Sequence, residues 1–445
     1  MGGWLSTRWE DARARLWFLP SVLVAAAVAL ALGLLRVDAA LDGLGSARHP
    51  VSTVLFSGSA DAARTLLSAI AGSLLTVLSI SFSLTMIALQ QASSQFSPRI
   101  LRSITASAVN QTVVGAFAGT FVYALLVLRT VRSDDTGPEF VPALSVTVAV
   151  AMSLVCIALL VYFIHHVSQS LQVSVVITRL RDTLLRELDG VYPDRVAEPA
   201  DTTGGSGAAA WAARLAAGAH SRVTATTGGF VRDVDEDALD EALGSGAPRS
   251  VHVVVGIGEF VPRGGLVAIA APPLDDDALD AVRAAVVLAD ERTDHRDPAF
   301  VVQQLVDVGL RAMSPGVNDP TTAEHVLLHL GDALTAVAGR DLPDPLRQLP
   351  GGSRALLERA DWDDLVDVAF SQLRRAAEGD VRVTVRLLEV LARLAGATGE
   401  PGRRAALAQQ VADAAGAAER CEDWTDGDRE RVREALSRAR GATTG

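Results

Sequence analysis

The sequence contains no lysine; all 40 of its Lys+Arg cations are arginine. That rules out the phosphate-cradling glycine loop that ends in lysine and a hydroxyl residue. Only two cysteines are present, Cys156 and Cys421, too few for a disulfide framework or a thiolate metal site. Aromatic residues make up 5% of the chain and form no stacking stripe. There is no elbow serine between glycines, no dinucleotide fingerprint and no dicysteine pair. None of these patterns calls for a cofactor. A formal net charge of -12, with no basic groove, argues against a nucleic-acid partner.

Apolar residues, by contrast, are abundant. The 445 residues are 49% hydrophobic, with mean hydropathy +0.28. Four long apolar runs lie early in the chain, at Trp17–Leu35, Thr65–Leu89, Thr112–Leu128 and Val141–Ile164. Each approaches the roughly 20 helical residues needed to cross a hydrocarbon layer. The third is the shortest, and Asn110 and Gln111 extend it at the interface. Arginines before the first run also fit a signal peptide, the competing reading for that segment. No ionisable residue falls deep in any run, which disfavours a proton-coupled carrier. The rest of the chain alternates charge with alanine and leucine, as a water-exposed domain does.

Short-loop arginines set the expected orientation. Arg8, Arg13 and Arg15 precede the first span, Arg99 and Arg102 follow the second, and Arg179, Arg181 and Arg186 follow the fourth. Four spans put these clusters on one side, so both termini are expected in the cytoplasm of a bacterial inner membrane. The acidic segment with Asp134, Asp135 and Glu139 then faces outward.

The second run is unusually polar. Gly72, Thr76, Ser79, Ser83 and Gln90 are spaced by four, three, four and seven, so they share one helical face. Two readings stand: a packing face of small residues, or the hydroxyl lining of a wetted path made by several copies. Span three carries Gly115 and Gly119 at the spacing for close helix approach. His165 and His166 fall at the end of span four, and an apolar periodicity from Val173 to Leu188 suggests that this span runs on as a stalk.

In the soluble part, strands are expected at Val223–Thr227, Phe230–Val231, Val251–Val255 and Leu266–Ile269, with a short helix over Asp235–Ala242 and a turn from Phe260 to Gly265. A helix over Phe300–Met313 stops at Ser314-Pro315-Gly316. Asn318-Asp319-Pro320 starts the next, with Asp319 as N-cap and Pro320 in the first turn. Asp297, Asp307, Asn318 and Asp319 are polar groups placed around this corner. Carboxylates there suit ion binding or acid–base work, whereas Asn and Asp before a helix also simply cap it. His325 and His329 are one helical turn apart, a spacing that can hold a metal. Amphipathic helices over Trp362–Glu378, Val381–Leu394, Arg403–Ala418 and Asp426–Arg440 follow.

Three stretches carry a resemblance: Gln95-Phe96-Ser97-Pro98-Arg99; the segment GIGEFVPRG from Gly256 to Gly264; and Gln304-Leu305-Val306-Asp307 leading through Arg311, Ser314 and Pro315 to Asn318-Asp319-Pro320 and Ala323. Together they resemble the bacterial predicted membrane proteins of the family DUF2254, from span one to about residue 400. Arg292, Thr293, Asp297 and Phe300 match the stretch that precedes the family's long motif, while His325 and His329 depart from its usual pair. The resemblance implies a membrane location and a shared architecture, and it brings no activity or substrate.

The expected fold is an α-helical transmembrane bundle of four spans followed by an α+β domain with a small β-rich module and a helical C-terminal part. The divisions fall at residues 1–166, 167–190 (stalk), 191–221 (weakly ordered insert), 222–290 (β-rich) and 291–445 (helical). The leading functional reading is a homo-oligomer in the lipid bilayer, conducting small ions under control of its cytoplasmic domain. In that reading Gln90–Arg99 form the inner mouth, and the outward acids and Arg99 pull selectivity in opposite directions. The alternatives are a non-conducting scaffold or sensor, and a membrane-anchored enzyme using Asp297, Asp307 and Asp319.

Overall fold

In a hydrocarbon layer each backbone N–H and C=O must be paired within its own segment, so a long apolar run folds as helix. In the computed structural model, the four runs form α1 (Phe18–Gly43), α2 (Ala60–Gln95), α3 (Ala108–Leu128) and α4 (Ala143–Ser170). The structure describes residues 17–43, 56–95, 108–132, 140–170, 172–192, 206–244, 249–340 and 344–444. Within the four helices, Phe18–Leu41, Ala60–Gln91, Val109–Leu128 and Ala143–Gln169 are long and apolar enough to cross a membrane. The chain divides into two units, Met1–Val175 and Val176–Gly445.

In the first unit, α3 is the hub and packs against α1, α2 and α4. Its buried face runs through Val113, Phe117, Thr120, Ala124 and Val127, a helical repeat of four, three, four and three. A Cβ on Gly115 would lie 2.9 Å from Pro20 Cα and 2.7 Å from Leu23 Cδ1 of α1. Glycine at this position is what permits the α1–α3 approach. Helix α1 runs past the expected Leu35 boundary to Gly43 and takes Asp38, near its end, into the bundle as a buried carboxylate. Its carboxylate accepts from the Leu144 and Ser145 amides at 3.0 and 2.9 Å and from Ser145 Oγ at 2.5 Å. It thereby satisfies first-turn amides of α4 from a different helix.

Helix α5 (Val173–Val191), all but its first three residues in the second unit, is a helix of its own, since α4 ends at Ser170. Ile177, Leu180, Leu184 and Leu188 form its buried side. After α6 (Ser206–Ala217) come β1 (Ser221–Thr224), β2 (Gly229–Val234), α7 (Glu236–Leu243), β3 (Ser250–Val253), β4 (Phe260–Val261), β5 (Leu266–Ala271), α8 (Asp276–Ala285) and β6 (Val286–Ala289). Then follow α9 (Pro298–Ala312), α10 (Pro320–Ala338), β7 (Leu346–Gln348), β8 (Arg354–Leu357), α11 (Trp362–Ala376), α12 (Val381–Ala397), α13 (Pro401–Arg420) and α14 (Asp426–Thr444).

One sheet has strand order β1-β5-β3-β8-β7 and the other β4-β2-β6. The β3–β8 pair is parallel and joins residues about a hundred positions apart, Val251 opposite Ala355 and Val253 opposite Leu357. Val251 and Val253 alternate inward with the outward His252, the period of a half-buried strand. Both sheets and α7 and α8 share one core, which includes Val231, Leu239, Val253, Val267 and Val282. The module is therefore α+β. Phe260 and Val261, expected in a turn, instead pair with Phe230 and Gly229 as β4.

Six of the acids in this unit cap helices. Asp235, Asp275, Asp297, Asp319, Asp361 and Asp380 each accept from a first-turn amide as N-cap of α7 to α12 in turn. Such caps are worth about 1 kcal/mol apiece.

Candidate functional site

On α2, Gly72, Thr76, Ser79, Ser83 and Gln90 are all exposed on the bundle. At 3.6 residues per turn the five fall within about 60° of arc. Among the described residues, a Cβ on Gly72 would meet nothing within 4 Å. Thr76, Ser79 and Ser83 donate to the carbonyls of Gly72, Leu75 and Ser79 at 3.1, 2.9 and 3.0 Å. These bonds leave the hydroxyl oxygens free to accept from water or a second helix. Gln95 ends α2; Pro98, Arg99, Asp134, Asp135 and Glu139 lie outside the described residues.

The corner between α9 and α10 forms as its sequence suggests. Asp319 accepts from the Thr322 amide at 3.1 Å and from its hydroxyl at 2.7 Å, with Pro320 in the first turn. The Thr322 hydroxyl, foremost, holds the Asp319 carboxyl below its ordinary value. Asn318 takes the left-handed conformation at φ 49°, which Asn tolerates better than most residues. Ser314 donates to the Arg311 carbonyl at 2.7 Å, and Pro315 is exposed.

The three carboxylates do not converge. Asp297 caps the start of α9, Asp307 lies within it and Asp319 follows its end. With a rise of 1.5 Å per residue, Asp297 and Asp307 are separated by about 15 Å along the helix. Asp307 accepts from Gln303 Nε2 at 2.9 Å. His325 is exposed and His329 half-buried on α10; burial, chiefly, pushes the His329 pKa down. Among the described residues no group of three His, Cys, Asp or Glu side chains is placed to hold a metal ion.

Two separate sequence stretches do meet at Asp297. Arg292 binds it in a fork, Nε to Oδ2 at 2.6 Å and Nη2 to Oδ1 at 3.0 Å. Asp297 is 3% exposed and also accepts from the Phe300 amide at 2.9 Å. The Arg292 guanidinium stacks over the Phe300 ring at 5.0 Å. Gly258 closes over this pair: its φ is +85°, and a Cβ there would stand 2.2 Å from Asp297 Oδ2 and 2.4 Å from Arg292 Nε.

Beside this pair opens a cleft lined by Tyr192, Ile257, Arg296, Pro298 and Arg359 with neighbouring backbone. Arg359 Nη2 and Arg347 Nη1 share the Glu236 carboxylate, at 2.9 and 3.1 Å. Burial and then the Arg347 charge push the Arg359 pKa down to about 10. Burial raises the Tyr192 phenol above its usual range, and its hydroxyl donates to the Ala360 carbonyl at 2.5 Å. Sequence reading missed Tyr192, Glu236, Arg296, Arg347 and Arg359. Only the Asp297-Pro298 pair, which repeats the cap signature of Asp319-Pro320, marks this neighbourhood locally.

The family model described as predicted membrane protein, DUF2254, matches residues 13–393. An uncharacterized protein of Mycobacterium bovis and one of Mycobacterium tuberculosis are each 33% identical over 397 residues. Each match covers 87% of this chain and 74% of the relative. No solved structure matches.

Proposed function

We propose, from the premise that this chain belongs to the DUF2254 family of predicted membrane proteins, that it assembles as a homo-oligomeric channel with α2 of each copy facing a common path. The observation that carries this reading is the outward polar stripe of α2. Contact with lipid rewards neither Gly72 nor the hydroxyls of Thr76, Ser79 and Ser83, whereas helix interfaces and wetted paths favour such residues. The bundle already uses its other small-residue pair internally, with Gly115 and Gly119 against α1. The stripe on α2 is thus left for something outside the chain. Four helices enclose too little space for a pore, so several copies supply it.

Small ions are the conducted species in this reading, and the soluble unit regulates their passage. The short-loop arginines support an inner-membrane location with both termini in the cytoplasm. The alternative of a non-conducting scaffold or sensor draws on the exposed α9–α10 corner, where Val317 is 51% exposed.

The test is conductance of the purified full-length protein in planar bilayers. Ser79→Leu and Ser83→Leu should lower unitary conductance while oligomer mass is unchanged, and Val155→Leu on the exposed face of α4 should leave it alone. An oligomer that never conducts would refute the channel and leave the scaffold.

A further inference from the structure

The cleft beside Asp297 brings several arginines close together. Two guanidinium groups, Arg347 and Arg359, share the one carboxylate of Glu236. Asp297 does not compensate them, because Arg292 holds it in a fork. Arg296 is paired with Asp233 at 2.9 Å. Asp361 and Asp364, the other acids acting on Tyr192, bind each other's backbone amides in the capping box of α11. Among the described residues, Arg347 and Arg359 are thus half-buried on a single shared carboxylate, and each guanidinium keeps further N–H donors beyond that pair.

The backbone is also set for this arrangement. Arg296 has φ +56°, a conformation rare outside glycine, asparagine and aspartate. Its amide is held by Glu187 at 2.8 Å. Strain of this kind persists where surrounding contacts enforce it, and it is common at ligand clamps. Two guanidinium forks and a phenol, backed by Ile257 and Pro298, make a short polar front on an apolar wall. This is the usual composition of a small-ligand pocket, and planar guanidinium forks match phosphate oxygens two at a time.

We propose that this cleft binds the phosphoryl group of a small anionic ligand through Arg296 and Arg359. The site belongs to the soluble unit and does not depend on whether the membrane unit conducts. The phosphoryl group can come from a soluble metabolite or from a lipid headgroup, and the test separates the two.

Full-length protein in phosphatidylcholine nanodiscs is titrated with inorganic pyrophosphate at constant ionic strength, and thermal unfolding is followed. Binding to the folded state alone raises the midpoint, which climbs with the logarithm of ligand concentration above the Kd. Arg296→Gln, at a side chain 42% exposed, should weaken the response by about tenfold or more, and the distant Arg438→Gln should not. Arg359→Gln should act like Arg296→Gln; if it fails to fold, Arg296→Gln alone decides. Nanodiscs containing phosphatidylglycerol form the second arm. Loss of the pyrophosphate response there, in the wild type, assigns the site to a lipid headgroup; an unchanged response assigns it to a soluble phosphate. No midpoint shift up to millimolar pyrophosphate in phosphatidylcholine discs, or equal shifts in wild type and Arg296→Gln, overturns the proposal.

Discussion

Gly258→Ala should be the most damaging small substitution in the second unit, and its cost can be worked from two separate terms. The first is conformational: alanine at φ +85° incurs about 1–2 kcal/mol. The second is steric. The new Cβ would stand 2.2 Å from Asp297 Oδ2 and 2.4 Å from Arg292 Nε, so the fork between them must open. Breaking a buried ion pair costs about 3–5 kcal/mol, and partial relaxation lowers that figure. A total of about 3–5 kcal/mol is expected. For a unit of this size each kcal/mol moves the midpoint by about 2–4 °C, so a fall of roughly 6–20 °C should be seen.

Two neighbouring glycines separate the terms. Gly264 has φ +78° and nothing within 4 Å of its Cβ position, whereas Gly256 carries no such φ and meets only Glu358 O at 3.7 Å. Gly264→Ala should therefore lose only the first term, about 1–2 kcal/mol, and Gly256→Ala should be near neutral. The assay is thermal unfolding of the full-length protein in detergent, read by differential scanning fluorimetry. Equal losses at Gly258 and Gly264 would refute the view that Gly258 is required by the Arg292–Asp297 pair.

Two further outcomes are expected. Asp319→Ala should cost about 1 kcal/mol at neutral pH by urea unfolding. Because the Asp319 carboxyl is held below its ordinary value, that contribution is full above the unfolded pKa of about 3.9. It disappears as pH falls through the lower folded value, so the gap between variant and wild type should close under strongly acidic conditions. In the bundle, Asp38→Ala leaves the Leu144 and Ser145 amides without their acceptor. At about 1–3 kcal/mol per unsatisfied group, it should lower the detergent melting temperature more than Asp38→Asn, which keeps one acceptor oxygen.

What local pattern can encode was legible in the sequence. The four spans, the Asp319-Pro320 helix start and the late amphipathic helices all rest on hydropathy, caps and a 3.6-residue period, which act within a few residues. The strands β7 and β8 escaped because they are three and four residues long and include Arg347, Gln348 and Arg354. The pairing of β8 with β3 is set by tertiary contacts across about a hundred residues, and β7 joins the sheet only through β8. The Arg359–Glu236 and Tyr192–Ala360 bonds span 123 and 168 positions, so neither leaves a local trace. Asp297 was grouped with Asp319 because both are acids near one helix. That grouping ignored the length of α9, which sends them to opposite ends. The α2 stripe was legible as a stripe, but its outward direction depends on which face of α2 packs on α3.

The central claim is that α2 faces a shared path between copies, and the most direct measurement is a single-particle map of the full-length protein in lipid nanodiscs. A ring of subunits with Gly72, Thr76, Ser79 and Ser83 innermost around a continuous solvent path is the predicted result. A monomer, or an oligomer in which this stripe faces lipid and no path runs through the assembly, would contradict it.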